Sequence, residues 1–135
     1  MAGRSLFGSG ALALLVVGTV GSVGAKPPTG GKVIVVKMVD VSATEYRFEP
    51  AAITVSVGDT IRFQQTGAMP HNVEFREVPS GTSLGESKTG PYLVASGQTY
   101  DIPITRGFVP GRYTFTCVPH ETLGMKGAIT VALGK

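Results

Sequence analysis

Between Val33 and Ala132 no segment keeps a helical period; short apolar or alternating runs recur instead, with turn-forming residues between them. The runs are Val33 to Val39, Ile53 to Val57, Thr60 to Gln65, Asn72 to Glu77, Thr99 to Thr105, Arg112 to Cys117 and Gly127 to Ala132. Gly58-Asp59 joins the second run to the third, and Gly111 opens the sixth. Val78 to Gly97, rich in Ser, Gly and Pro, is the least regular stretch and has room for a short helical turn. Short strands spaced by turns predict an all-β fold, an antiparallel two-sheet sandwich with Greek-key connections. A chain of 135 residues, nineteen of them Gly and nine Pro, holds one such domain, and no internal repeat or second domain is evident.

The chain before the first run has a different character. Residues 1–25 read as a secretory signal peptide: Arg4 in a short positive start, an apolar run from Ala11 to Val20, and Val23-Gly24-Ala25 as a small-residue cleavage site. The competing reading is an uncleaved anchor, but Leu6 to Val23 is barely long enough to span a bilayer and is broken by Gly8, Gly10, Gly18 and Gly21. The leader has no cysteine, which argues against attachment through a lipidated one. Residues 26–32 form a Pro/Gly linker, and residues 33–135 form the domain. Without Arg4 the chain keeps eleven basic and nine acidic residues, a formal charge of +2. So balanced a surface lacks the basic excess of a nucleic-acid binder, and no run of like charge suggests a strongly charged partner.

One cysteine in an exported chain cannot form an internal disulfide, and a free thiol in an oxidising compartment is a liability. Metal ligation accounts for it. Cys117 opens the stretch Cys117-Val118-Pro119-His120-Glu121-Thr122-Leu123-Gly124-Met125, which also carries one of the two histidines. A thiolate, an imidazole and a thioether are donors that favour copper, and His₂Cys with a weak axial Met is the set used by electron-transfer copper sites. His71, in Met69-Pro70-His71-Asn72, is the other histidine and completes the set. Zinc accepts the same nitrogen and sulfur donors, but its usual sites do not use Met. Within the run ending at Cys117, Tyr113, Phe115 and Cys117 share one face, so the sulfur points inward from a strand end. Pro119 biases Val118 away from helix, placing His120 on a tight non-helical loop, and Gly124 permits a sharp turn before Met125.

These residues resemble the cupredoxins, the small blue-copper proteins, and most closely the plastocyanins. The likeness is carried by Pro70-His71-Asn72-Val73, by Tyr113 to Cys117, and by the Cys-x₂-His-x₄-Met loop closing on Gly127 to Val131. Phe48-Glu49-Pro50, Ile53-Thr54-Val55 and Gly58 to Phe63 extend it, so it covers about Val33 to Val131. The resemblance implies the cupredoxin form of the sandwich and one type 1 copper ion at His71, Cys117, His120 and Met125. It implies that Asn72 steadies the ligand loops, with Pro119 supporting the site from within the loop. The free nitrogen of His71 is expected to donate to a backbone carbonyl.

The function expected is a soluble one-electron carrier, monomeric, meeting a redox donor and acceptor transiently in the periplasm or an equivalent space, the thylakoid lumen if photosynthetic. The alternatives are a copper delivery or storage protein and a copper-free interaction module; the intact ligand set argues against the last. An enzyme is not expected, because four protein ligands leave no open position for substrate. The resemblance places His71 on the inner side of the site and His120 in an exposed loop, where Ala68, Met69, Pro70, Leu123 and Gly124 form a flat apolar docking patch together with Pro119. Photosynthetic plastocyanins carry an aromatic residue before the copper cysteine, beside an acidic cluster. Here that residue is Thr116, and Arg76, Glu77, Glu86 and Lys88 mix both signs.

Overall fold

The computed structural model describes residues 30–133, so the signal-peptide expectation for residues 1–25 lies outside the described residues. Among the described residues eight strands run in chain order: β1 Val33–Ser42, β2 Glu45–Glu49, β3 Ala52–Val55, β4 Thr60–Gln65, β5 Glu74–Phe75, β6 Thr99–Pro103, β7 Gly111–Thr116 and β8 Lys126–Val131. They form two four-stranded sheets, ordered β2-β1-β4-β6 and β3-β8-β7-β5. The two-sheet sandwich is as expected, but its pairing is mixed: β1 runs parallel to β4 and β3 parallel to β8, while the remaining pairs are antiparallel. The parallel pairs result from the connections, since the chain leaves the first sheet after β2, adds β3 to the second, and returns to place β4 beside β1.

Two elements depart from the sequence expectation. β2 was not among the expected strands; three charged residues in five disguise a clean alternation in which Tyr46 and Phe48 are buried and Glu45 and Arg47 face solvent. The run expected over Asn72 to Glu77 is regular strand only at Glu74–Phe75. Its start pairs elsewhere: His71 bridges to Leu93, and Gly90 N–H bonds Val73 O. Within Val78 to Gly97 the only helical turn described is a 3-10 turn at Gly85–Lys88.

The core is built from the inward faces of both sheets, with Val36, Met38, Phe48, Ile61, Phe63 and Ile102 meeting Val55, Phe75, Tyr113, Phe115, Ile129 and Val131. At its centre Phe48, Phe63 and Phe115 pack edge to face at centroid distances of 4.8 to 5.9 Å, each such pair adding about 0.5–1.5 kcal/mol beyond area burial. The register fixes what lies at one end of this core. Met38 pairs with Gln65, Asp40 with Tyr46, and Thr116 with Lys126, so the ends of β1, β4 and β7 and the starts of β2 and β8 gather there.

Candidate metal centre

His71 reaches that end on a corner that begins at Gln65, the last residue of β4. The Gln65 side chain is fully buried and acts as a staple: its amide donates to Met69 O at 2.5 Å and Leu93 O at 3.2 Å, and its oxygen accepts Gly67 N–H at 3.1 Å. Asp40, from β1, works from the other side. Its Oδ2 accepts the N–H groups of Ala68 at 2.8 Å and Met69 at 3.0 Å, and its Oδ1 accepts His71 Nε2–H at 2.6 Å. Although burial opposes ionisation of Asp40, the Met69 amide, the His71 ring and the Ala68 amide hold its carboxyl below the ordinary value. The partner of the outer His71 nitrogen is therefore a carboxylate, not the backbone carbonyl expected. The chain after β4 folds over the end of β1, which brings the Asp40 carboxylate to the outer ring nitrogen.

Cys117, fully buried, continues the inward face of Tyr113 and Phe115 as expected. Beyond it the chain forms a 3-10 helix, Val118–Leu123, in place of the non-helical loop predicted from Pro119. Proline stands at the helix start, where the first N–H groups have no intrahelical partner and a missing one costs nothing. Gly124 ends it in the left-handed conformation, φ 84°, and its N–H bonds Glu121 O. The loop is then closed by its own backbone: His120 N–H to Cys117 O, Met125 N–H to His120 O, and Cys117 N–H to Met125 O, each at 3.1 Å. Thr116 adds a side-chain bond to Met125 O at 2.9 Å. Asn72 Oδ1 accepts Val118 N–H at 2.9 Å and joins the loop to the corner. Arg76 pairs with both Glu74 and Glu121, and its guanidinium holds the Glu121 carboxyl below the ordinary value.

The two elements bring Cys117 Sγ, His71 Nδ1 and His120 Nδ1 together. The sulfur lies 3.5 Å from His71 Nδ1 and 3.4 Å from His120 Nδ1, and the two nitrogens are 3.1 Å apart. The centre of that triangle is about 2 Å from each atom, the length of an ordinary metal–nitrogen bond and a few tenths of an ångström short of the roughly 2.3 Å of a metal–sulfur bond. Met125, fully buried, lies beside them at the end of the loop. Burial pushes the Cys117 thiol up, the N–H groups of Asn72 and His120 oppose this, and the charge of Asp40 adds to it. Burial, then the charge of His71, hold His120 below its ordinary value. Both shifts favour the uncharged forms of Cys117 and His120, and a metal cation that replaces the thiol proton fits the donors present.

The loop that carries His120 is exposed, as expected, while the ring itself is buried because Tyr46 stacks on it with centroids 3.9 Å apart and planes 20° from parallel. Its neighbours Val118, Pro119 and Leu123 are exposed, as are Ala68, Met69, Pro70 and Gly124. Asp40, Tyr46, Gln65 and the hydroxyl of Thr116 are site residues that the sequence reading missed. For Tyr46 the signal was its alternation with Phe48; for Asp40 and Gln65 it was at most their polar character at the ends of apolar strands.

The family model for copper binding proteins of the plastocyanin/azurin family matches residues 35–132. Over 86 residues the chain is 44% identical to the chloroplastic plastocyanin of Oryza sativa subsp. indica, a match covering 62% of this chain and 54% of that one, so it spans about half that relative's length. It is 37% identical over 120 residues to the plastocyanin of Prochlorothrix hollandica, covering 89% of this chain and 87% of that one. The solved structure of oxidized plastocyanin from Dryopteris crassirhizoma matches with a TM-score of 0.58 at 29% identity, over 73% of this chain and 99% of that one.

Proposed function

Because the chain belongs to the plastocyanin/azurin family of copper binding proteins, we propose that it is an exported type 1 copper protein carrying single electrons between redox partners. The observation that supports this reading most directly is the convergence of one thiol and two imidazole nitrogens on a single buried point. Copper supplies the one-electron Cu(II)/Cu(I) couple when bound. Cys117 would hold it as thiolate, His71 and His120 through neutral Nδ1, and Met125 through its thioether.

The rest of the chain suits a carrier. Backbone bonds that close the 117–125 loop without metal keep the donors in one arrangement, which limits the atomic rearrangement accompanying electron transfer. Burial of all four side chains keeps water from the site and favours retention of the ion through both oxidation states. Ala68, Met69, Pro70, Pro119, Leu123 and Gly124 are exposed and uncharged. We assign them as the docking face for a redox donor and acceptor, since such a face is desolvated easily and released quickly. Residues 1–25 direct the chain to the periplasm or, in a photosynthetic cell, the thylakoid lumen, where it works as a monomer.

The test is copper reconstitution followed by an absorption spectrum and a redox titration. A carrier shows an intense blue Cu(II) band and cycles repeatedly without losing its ion. A protein that binds copper without the band, or yields it to an acceptor on reduction, is a delivery or storage protein instead, and one that takes up no copper overturns the copper reading.

A further inference from the structure

Three hydrogen-bond donors converge on the side chain of Asp40: the ring Nε2–H of His71 on one oxygen, and the Ala68 and Met69 amides on the other. The contact is built into the corner. A Cβ on Gly67 would come within 2.2 Å of the Asp40 carboxyl carbon, so the chain crosses the carboxylate as bare backbone. Only an ionised carboxylate accepts at both ends. An asparagine would have to turn its NH₂ either toward the two amides, where donors meet donors, or toward His71 Nε2. The second choice would drive the ring proton to Nδ1, the atom that must be free for a metal.

Resting on the copper reading, we propose that Asp40 is a positioning residue of the metal centre. Its Oδ1 fixes His71 with the proton on Nε2 and the lone pair on Nδ1. Its Oδ2 locks the Ala68–Met69 backbone from which that ring is hung. Its charge, one imidazole away from the ion, favours Cu(II) over Cu(I) and so lowers the reduction potential. A carboxylate on the outer nitrogen of a ligating imidazole raises ligand basicity, and loss of such a partner typically costs ten- to a hundredfold in metal affinity.

The experiment compares wild type with Asp40→Ala, Asp40→Asn and Gly67→Ala in two ways. In ¹⁵N-histidine-labelled apoprotein, NMR should show a hydrogen-bonded, slowly exchanging His71 Nε2–H in wild type. That signal should be lost in Asp40→Ala and should exchange faster in Gly67→Ala, which displaces the carboxylate without removing its charge. In copper-loaded protein, Asp40→Ala should bind Cu(II) about ten- to a hundredfold more weakly, with a smaller loss for Cu(I). Its potential then rises by about 59 mV for each tenfold of lost preference, and Asp40→Asn moves the same way by less. Should Asp40→Ala fail to fold, the other two variants decide. A slow Nε2–H retained in Asp40→Ala, or exchange unchanged in Gly67→Ala, overturns the positioning role, and an unchanged or lowered potential in the Asp40 variants that fold overturns the electrostatic one. Wild type that takes up no copper would sink the copper reading and the electrostatic role with it, and the apoprotein spectra would still decide the positioning of His71.

Discussion

The corner at residues 65–71 and the loop at residues 117–125 deliver side chains to the same buried point, yet the corner is held by side chains and the loop largely by its own backbone. The corner hangs from Gln65 and from Asp40, whose partners Ala68, Met69 and His71 lie 28, 29 and 31 residues along the chain. The loop closes on itself through Cys117, His120, Glu121, Gly124 and Met125. A loop of the second kind can be specified by nine consecutive residues. A corner of the first kind exists only once β1 and β4 have paired in register, so its geometry depends on the sheet.

The sharpest way to break this comparison is to remove the loop's defining donor. Cys117→Ser should abolish the blue band altogether, because its intensity arises from the thiolate, while the fold stays intact; a serine variant that stayed blue would refute the assignment. Next in size is the corner's staple. Gln65→Leu leaves Gly67 N–H and the Met69 and Leu93 carbonyls without their buried partner, which should cost about 1–3 kcal/mol in urea unfolding. Hydrogen exchange should speed at Gly67 and His71 and stay near wild type at Gly124 and Met125. Equal acceleration in both segments would show that the loop is not self-contained.

Asn72 tests the joint between them. Asn72→Ala removes the bond from Val118 N–H, which is worth about 1 kcal/mol in a thermal or urea melt, and exchange should speed at Val118. Because the loop keeps its own closing bonds, the blue band should persist with little loss of intensity. Loss of copper binding on this single change would mean that the corner, through Asn72, is what organises the loop.

The same contrast explains how much was legible in the sequence. The strand run into Cys117, the turn at Gly124 and the inward sulfur are local consequences of alternation and of one residue's backbone freedom, and all are found in the structure. The 3-10 turn was misjudged because proline was read as excluding helix, whereas at a helix start it is tolerated. β2 was overlooked because its charged residues hid the alternation of Tyr46 and Phe48, and with it went the ring that covers His120. Asp40 and Gln65 were invisible for a different reason. Asp40 acts on residues 28 to 31 positions away, across the β1–β4 pairing, which single-sequence patterns do not encode. Gln65 reaches Gly67 and Met69 close by, but nothing in the local pattern marks a strand-end amide as the buried staple of the corner.

The smallest expected effect concerns the surface that the two regions share. Met69 from the corner is 44% exposed and Leu123 from the loop 42%, and neither belongs to the buried core. Replacing Leu123 with Glu should therefore leave the melt and the copper spectrum nearly unchanged. A carboxylate placed on an uncharged docking face must be desolvated whenever a partner covers it, so association should slow. The measurement is the bimolecular rate of electron transfer with a protein redox partner across a range of salt. A fall of about tenfold or less with an intact spectrum would place docking at this face, whereas a rate equal to wild type would move it elsewhere. Repeating the change at Met69 sharpens the comparison. If the corner and the loop contribute to one face, Met69→Glu and Leu123→Glu should slow the same partner, and the double variant should lose less than the two single effects combined, because the first charge already keeps the partner from seating.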